Sequence, residues 1–201
     1  MAIRRYEASV FLNCPFDGAY RAKLRAIVFA VRDCGFQVRC ALEESDSGQV
    51  RLQKIVRLQK QCRYSVHDLS RIHGRFNMPF ELGLEVGLRE SGHPRWRNRR
   101  CLVLDSEPYR YQRVISDLAG CDISHASSSE EAIHAVRNWL RTASRRADLP
   151  GGTEIVKRYK RFLSVLPEAA GLIRLTVPEM VFVDYALLVG TWLRKNAPPA
   201  S

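Results

Sequence analysis

Acidic side chains are in short supply. The 201-residue chain has 21 Asp+Glu against 32 Lys+Arg, a formal net charge of +11. That balance favours polyanionic partners, whether nucleic acid, nucleotides or an acidic protein; a solvated basic surface is the plain alternative. No recognisable nucleic-acid-binding motif accompanies the charge, so nucleic acid is not the favoured partner. No two of the six cysteines, at positions 14, 34, 40, 62, 101 and 121, form a C-x-x-C pair, and most stand in apolar runs. They read as buried thiols in a reducing compartment, which excludes a disulfide framework. The five histidines show no zinc spacing, so no metal is expected. Both G-x-G-x-x-G and the Walker A pattern are missing, which excludes a Rossmann dinucleotide fingerprint and a P-loop. The opening MAIRRYEASVFL has no signal-peptide h-region, so the cytoplasm is expected. Internal repeats and low-complexity segments are also missing.

What is there fits one domain with a small appendage, and an apolar fraction of 46% suffices for a full core. Ser9 to Asn13 is an apolar run of the kind buried in a parallel sheet. A helix follows from about Ala19 to Asp33, with the stripe Tyr20, Leu24, Ile27, Val28, Val31 facing inward and Gly35 placed to end it. Phe36 to Leu42 alternates as a strand, Glu43 to Gly48 is an acidic turn-rich loop, and Gln49 to Cys62 is helical. Tyr64 to Leu69 is a third strand, and a polar loop with Gly74 follows it. Pro79 to Glu90 is a third helix, with the stripe Phe80, Leu84, Leu88 and with Gly83 and Gly87 permitting close packing on the sheet. A basic loop, Gly92 to Arg100, precedes the strand Cys101 to Asp105. Tyr109 to Ala119 is ambiguous, and Asp122 to His125 reads as a short fifth strand. The capping box Ser128-x-x-Glu131 opens a helix to about Ser144. This alternation predicts an α/β fold, a flavodoxin-like doubly wound parallel sheet of about five strands in the order 2-1-3-4-5, over residues 1–145.

Beyond the linker Arg145 to Gly152, residues 153–196 form a C-terminal helical pair that packs on the first domain or on a second subunit. Its first helix is Thr153 to Leu166. Its second starts at the capping box Thr176-x-x-Glu179, runs to about Lys195, and is apolar on almost every side. It is too short and too interrupted to span a membrane, so a homodimer through these helices is expected.

Chemistry concentrates where strands end. Asp68 stands at the carboxyl end of the third strand, where open α/β sheets bind ligands; a turn-capping role is the alternative. Glu81, in the first turn of the next helix, should be ionised at neutral pH. There it suits a nucleophile at an anomeric carbon or electrostatic support of an oxocarbenium-like transition state; Glu is also common in first turns. In the turn Asn13 to Asp17, Asn13 is placed to hydrogen-bond a base and Phe16 to stack on it or to plug the helix start. Arg95, Arg97, Arg99, Arg100 and Trp96 form a basic patch, either phosphate-binding or simply a charged loop. His67 reads as a core or edge histidine.

The strings VFLNCPFD, CRYSVHDLS, FELGLEVGL and CLVL, in that order, resemble the nucleoside 2-deoxyribosyltransferase-like branch of the TIR-related superfamily, and more narrowly a set of bacterial TIR-like proteins. The likeness covers about residues 9 to 140. It rests on Pro15-Phe16 after the first strand, on Asp68, and on Glu81-Leu82-Gly83 with Gly87. It implies a catalytic Glu81 and a substrate-binding Asp68; Asn13, Pro15, Phe16, Asp17, Glu43 and Asn77 are the further substrate-binding candidates. Glu43 lies where TIR proteins carry a mobile loop. The resemblance further implies an N-glycosidase acting on NAD, a nucleotide or a nucleoside, with that molecule as ligand, no separate cofactor, and a setting in antiviral defence. A non-catalytic nucleotide-sensing module and a basic nucleic-acid-binding protein are the alternatives. Two departures stand out. Asn77-Met78-Pro79-Phe80 replaces the small pair the family places before E-L-G, and the C-terminal helices lie outside its pattern.

Overall fold

The computed structural model describes residues 2–71, 76–110, 115 and 122–197. A short helix α1 (Ala2–Glu7) leads into β1 (Ser9–Asn13), followed by α2 (Arg21–Asp33), β2 (Gln37–Cys40), α3 (Arg51–Lys60), β3 (Tyr64–Asp68), α4 (Asn77–Glu90), β4 (Arg100–Asp105), β5 (Ile123–His125), α5 (Ser129–Ser144), α6 (Gly152–Leu172) and α7 (Phe182–Lys195). The five strands form one parallel sheet in the order β2-β1-β3-β4-β5. In register, Leu12 lies beside Val66 and Val66 beside Leu102. The loop around Gly74, residues 111–114 and 116–121 with Cys121, lie outside the described residues.

The two faces of the sheet differ in chemistry. On one, Val10, Leu12, Val66, Leu102 and Leu104 join the apolar stripes of α2 and α5 in a single large core. Residues Leu24 to Val31 of α2 are buried on nearly every side except Arg25, because α6 and α7 pack outside it as a further layer. Phe29 meets Tyr159, Phe162 and Trp192 at ring-centroid separations of 5.3, 5.5 and 5.9 Å. The apolar breadth of α7 is therefore met within the chain on its inner side, by Tyr185, Leu188 and Val189, while Val183 and Leu187 stay exposed. On the other face, under α3 and α4, the apolar groups are few: Phe11 meets Ile55 and Leu58, and Val103 meets Leu69, Met78 and Leu82. Between them lie Asn13, Ser65 and His67, all buried.

Several boundaries move from their expected places. α4 begins at Asn77, because Pro79 falls among the first helical residues, whose N–H groups have no intrahelical partner to lose. Its buried face is Met78, Glu81, Leu82 and Glu85, so the expected stripe through Phe80 points outward and Phe80 is 54% exposed. β2 stops at Cys40, where the Glu43 carboxylate accepts from the Cys40 N–H at 2.7 Å and starts a 3-10 turn over Ala41–Glu43. α6 runs on to Leu172 through Pro167, since Leu166 and Ala170 continue its buried stripe. α7 starts at Phe182: Glu179 closes a separate turn on the Thr176 N–H at 2.7 Å, and Asp184 caps the helix through the Val181 N–H at 3.0 Å. The expected capping box of α5 is formed by Ser128 and Glu131.

Cys14, Cys34, Cys40 and Cys62 are buried free thiols, and burial pushes the last three up to about 12. Within the basic loop, Arg99 is fully buried. Its Nε donates to Glu85 at 2.7 Å, a second nitrogen pairs with the other carboxylate oxygen, and Nη1 reaches the carbonyls of Gln59, at 2.5 Å, and Cys62. Arg99 thus ties the loop to α3 and α4. Breaking a buried pair of this kind costs about 3–5 kcal/mol.

The glycines divide sharply. Gly35 has φ +79° and ends α2 through hydrogen bonds to Arg32 and, from Phe36, to Val31, whereas Gly83 and Gly87 face open space. Packing on the sheet therefore gives no reason for the latter two. Gly35→Ala is expected to destabilise the protein by about 1 kcal/mol, and Gly83→Ala or Gly87→Ala to stabilise it by about 0.4–1 kcal/mol. Urea titration of the three variants reads this directly; destabilisation by Gly83→Ala would mean that a partner covers that face.

Candidate active site

Asp68 ends β3 with no exposed surface. Its carboxylate accepts from the Tyr20 hydroxyl at 2.6 Å and the Ser70 N–H at 2.7 Å, and pairs with the Lys23 ammonium at 2.9 Å. Lys23 also donates to Ser70 Oγ at 3.0 Å and to the Ala126 carbonyl at 2.5 Å. Burial, reinforced by Cys14 and the Asp68 charge, holds the Tyr20 phenol well above its ordinary value and so protonated. The Asp68 carboxylate is thus engaged by its own fold, through Tyr20, Ser70 and Lys23. Lys23 gives the sequence signal for this: it is a cation three residues after Tyr20, within the turn of α2 that also carries buried Leu24.

Asn13 is likewise turned inward. Its Nδ2 lies 3.0 Å from His67 Nδ1 and donates to the Met78 carbonyl at 3.0 Å, fixing the first turn of α4 on the end of β1. His67 is fully buried, and burial with the Arg99 charge lowers it to about 3, so it is a neutral core imidazole. Pro15, two residues after Asn13, is buried, and Asn77 sits exposed at the first residue of α4.

Glu81 differs from these. With Phe76 as the cap, it is the fifth helical residue, in the second turn and not the first. It is only 4% exposed, and its carboxyl has no hydrogen-bond partner among the described residues. The Gln59 amide holds its backbone carbonyl at 2.9 Å. Burial raises its pKa to about 7, with the Arg51 guanidinium pulling the other way. The expectation of a carboxylate kept ionised by the helix end is therefore corrected: one turn further in, desolvation outweighs the dipole.

Phe16, Asp17 and Glu43 do share a cavity, of about 610 Å³, at the carboxyl edge of β1 and β2. Arg21, Arg25 and Leu24 of α2, Leu42 to Ser47, and Arg51 and Lys54 of α3 complete most of its wall. The remaining wall is Met180 to Tyr185, from the C-terminal pair, which nothing in the sequence places there. Three acids in this wall are paired with cations, Asp17 with Arg71 at 3.3 Å, Glu43 with Arg39 at 2.7 Å and Glu44 with Arg57, while exposed Asp46 accepts from the Gly48 N–H at 2.9 Å. Among the described residues, Arg21, Arg25 and Arg51 have no carboxylate partner. A second cavity, of about 470 Å³, is lined by Tyr20, Lys23, Ser70, Arg71, Ser106 and Ser127 on the other side of the Asp17–Arg71 pair. Neither cavity includes Asp68 or Glu81. Arg51 connects Glu81 to the wall of the first, and Tyr20, Lys23 and Ser70 connect Asp68 to the second.

Among the described residues no group of His, Cys, Asp or Glu is arranged to hold a metal ion, and no helix is long and apolar enough to cross a membrane. No protein-family model, curated protein or solved structure matches the chain.

The buried carboxyl has a signed consequence for stability. Folding raises the pKa of Glu81 from 4.5 to about 7. The folded state therefore holds the extra proton between those values, and stability falls as pH rises through that window. The penalty above pH 7 is on the order of 3 kcal/mol. Glu81→Gln is expected to raise Tm clearly at about pH 8 and to leave it nearly unchanged at about pH 4.5. Thermal melts at both values check this; an equal effect at both would mean the carboxyl is not desolvated.

Proposed function

We propose that the chain cleaves the N-glycosidic bond of a nucleotide-type molecule (NAD, a nucleotide or a nucleoside), with Glu81 as the acting carboxyl. The observation that carries this reading is Glu81 itself, a buried carboxyl without a hydrogen-bond partner, titrating near 7. Such a group costs stability and is characteristic of functional sites. A cavity of about 610 Å³ is of the size that takes a nucleotide; Glu81 does not line it, so the reading requires the Glu81 carboxyl to turn into the cavity beside Arg51, which does line it. Its unpaired arginines suit phosphate, and Phe16 and Phe182 offer apolar surface to a base. In the reaction the bond from C1′ to the base nitrogen breaks and the base departs with the electron pair. Ionised Glu81 stabilises the positive charge at C1′ or adds to it, and water or an acceptor hydroxyl then completes the product. The resemblance to bacterial TIR-like proteins is the sole support for a setting in antiviral defence.

Glu81→Gln is expected to abolish cleavage while the protein stays folded. The wild-type rate should drop about tenfold per pH unit below 7, as the acting form is protonated. Chromatography of NAD and a nucleoside panel after incubation measures both; wild-type turnover by the Gln variant would falsify the assignment.

A non-catalytic sensor is favoured by one specific observation. Asp68, the second carboxylate of the expected pair, is saturated by Tyr20, Lys23 and Ser70. Ligand binding by calorimetry without product in the same assay selects that reading. The expected homodimer rests on the outer face of the C-terminal helix, where Leu187 is 59% exposed beside Val183. Leu187→Glu should convert a dimer to a monomer in light scattering; a wild type that is already monomeric removes the dimer.

A further inference from the structure

The basic loop between α4 and β4 has no role in the reading above. It is held from beneath by the Arg99–Glu85 pair and within itself by the Trp96 N–H on the His93 carbonyl at 2.9 Å and the Arg99 N–H on the Trp96 carbonyl at 3.0 Å. With α3 it frames a cleft of about 650 Å³ whose lining includes Val56, Arg57, Lys60, Gln61, Arg95 and Trp96. His93, exposed, stacks on Trp96 with ring centroids 4.2 Å apart and planes 24° from parallel. The Lys60 ammonium lies 5.2 Å from the Trp96 ring. Arg57 is matched by Glu44, but Lys60, Arg95, Arg97 and Arg100 have no carboxylate partner among the described residues. Lys60, Arg95 and the edge of a stacked ring pair, through Trp96, therefore meet in one concave surface of a chain that carries +11, with His93 on the outer side of that pair and Arg97 in the same loop just outside the lining.

We propose that this cleft binds single-stranded nucleic acid, with phosphates against Lys60, Arg95 and Arg97 and bases on the His93–Trp96 pair. Flexible strands are bound by this combination, a cationic track beside ring surfaces on which bases stack. A duplex hides the faces of its bases and is read by an element that projects into a groove, and this surface is concave. An acidic protein segment would meet the cations and leave the ring pair and the apolar Val56 without a use. The surface is separate from Glu81, so the two proposals stand or fall independently.

Fluorescence anisotropy with a labelled mixed-sequence DNA single strand of about 20 nucleotides tests it. Affinity should fall at least about tenfold between about 50 and 200 mM salt. The variant Lys60→Ala/Arg95→Ala/Arg97→Ala should bind at least about tenfold more weakly at the lower salt, with the log–log salt slope reduced by about 2. A charge-matched variant on the helical pair, Lys157→Ala/Arg161→Ala/Lys195→Ala, should stay within about twofold of wild type. Binding should quench tryptophan emission, and Trp96→Phe should remove most of that quench. Thermal melts establish that each variant is folded. Equal losses in both triple variants, tighter binding of the matching duplex, or binding to phosphatidylserine vesicles with none to the oligonucleotide would each overturn the proposal.

Discussion

The structure depends on one buried ion pair at the centre of the sheet edge. Asp68 and Lys23 sit 2.9 Å apart with almost no contact with water, and their neighbours come from the start of α2, the end of β3 and the turn after β5. A lone charge of either sign there would be costly, so each holds the other in place, with Tyr20, Ser70 and the Ala126 carbonyl completing the shell. This converts the crevice that a doubly wound sheet opens at its switch point into a closed joint. Free space is displaced to either side, into one cavity toward β2 and another toward β4 and β5.

The contrast between the two sheet faces follows the same logic. One face is apolar and carries two layers of helices. The other buries Asn13, Ser65, His67, Glu81, Glu85 and Arg99 under α4. Arg99 and Glu85 satisfy one another, whereas Glu81 is left with a distant guanidinium and a raised pKa. This face combines two small apolar clusters with buried polar groups that are only partly paired, a mode of packing suited to a site and poorly suited to a core.

The sequence made the framework legible through local signals. Continuous apolar runs marked β1 and β3, the capping box at Ser128 marked α5, and strand–helix alternation gave the 2-1-3-4-5 order. Pattern alone misplaced α4, because its stripe has two self-consistent settings. One puts Phe80, Leu84 and Leu88 inward; the observed one puts Met78, Glu81, Leu82 and Glu85 there. Glutamates read as surface residues until an arginine distant in sequence is known to lie beneath them. The raised pKa of Glu81 and the engagement of Asp68 are properties of tertiary surroundings, so position in an element revealed neither. Nor did spacing bring Met180 to Tyr185 against Phe16 and Leu42, since long-range adjacency leaves no periodic trace.

That last adjacency couples two equilibria. The segment Met180–Tyr185 walls the cavity at the carboxyl edge of β1 and β2, while Trp192 further along α7 lies on Phe29; the pair is joined to α2 by the Arg25 hydrogen bond to the Val177 carbonyl, ahead of α7, at 3.0 Å and by the Tyr185 hydroxyl on the Arg25 carbonyl at 3.1 Å. Any molecule that fills the cavity by touching this wall must lower the population in which the C-terminal pair has peeled away. By reciprocity, whatever loosens that pair must weaken the molecule's hold. Amide exchange along residues 180–195 would then report occupancy of a site whose chemistry lies on other elements, and the helical appendage would act as a transducer of it.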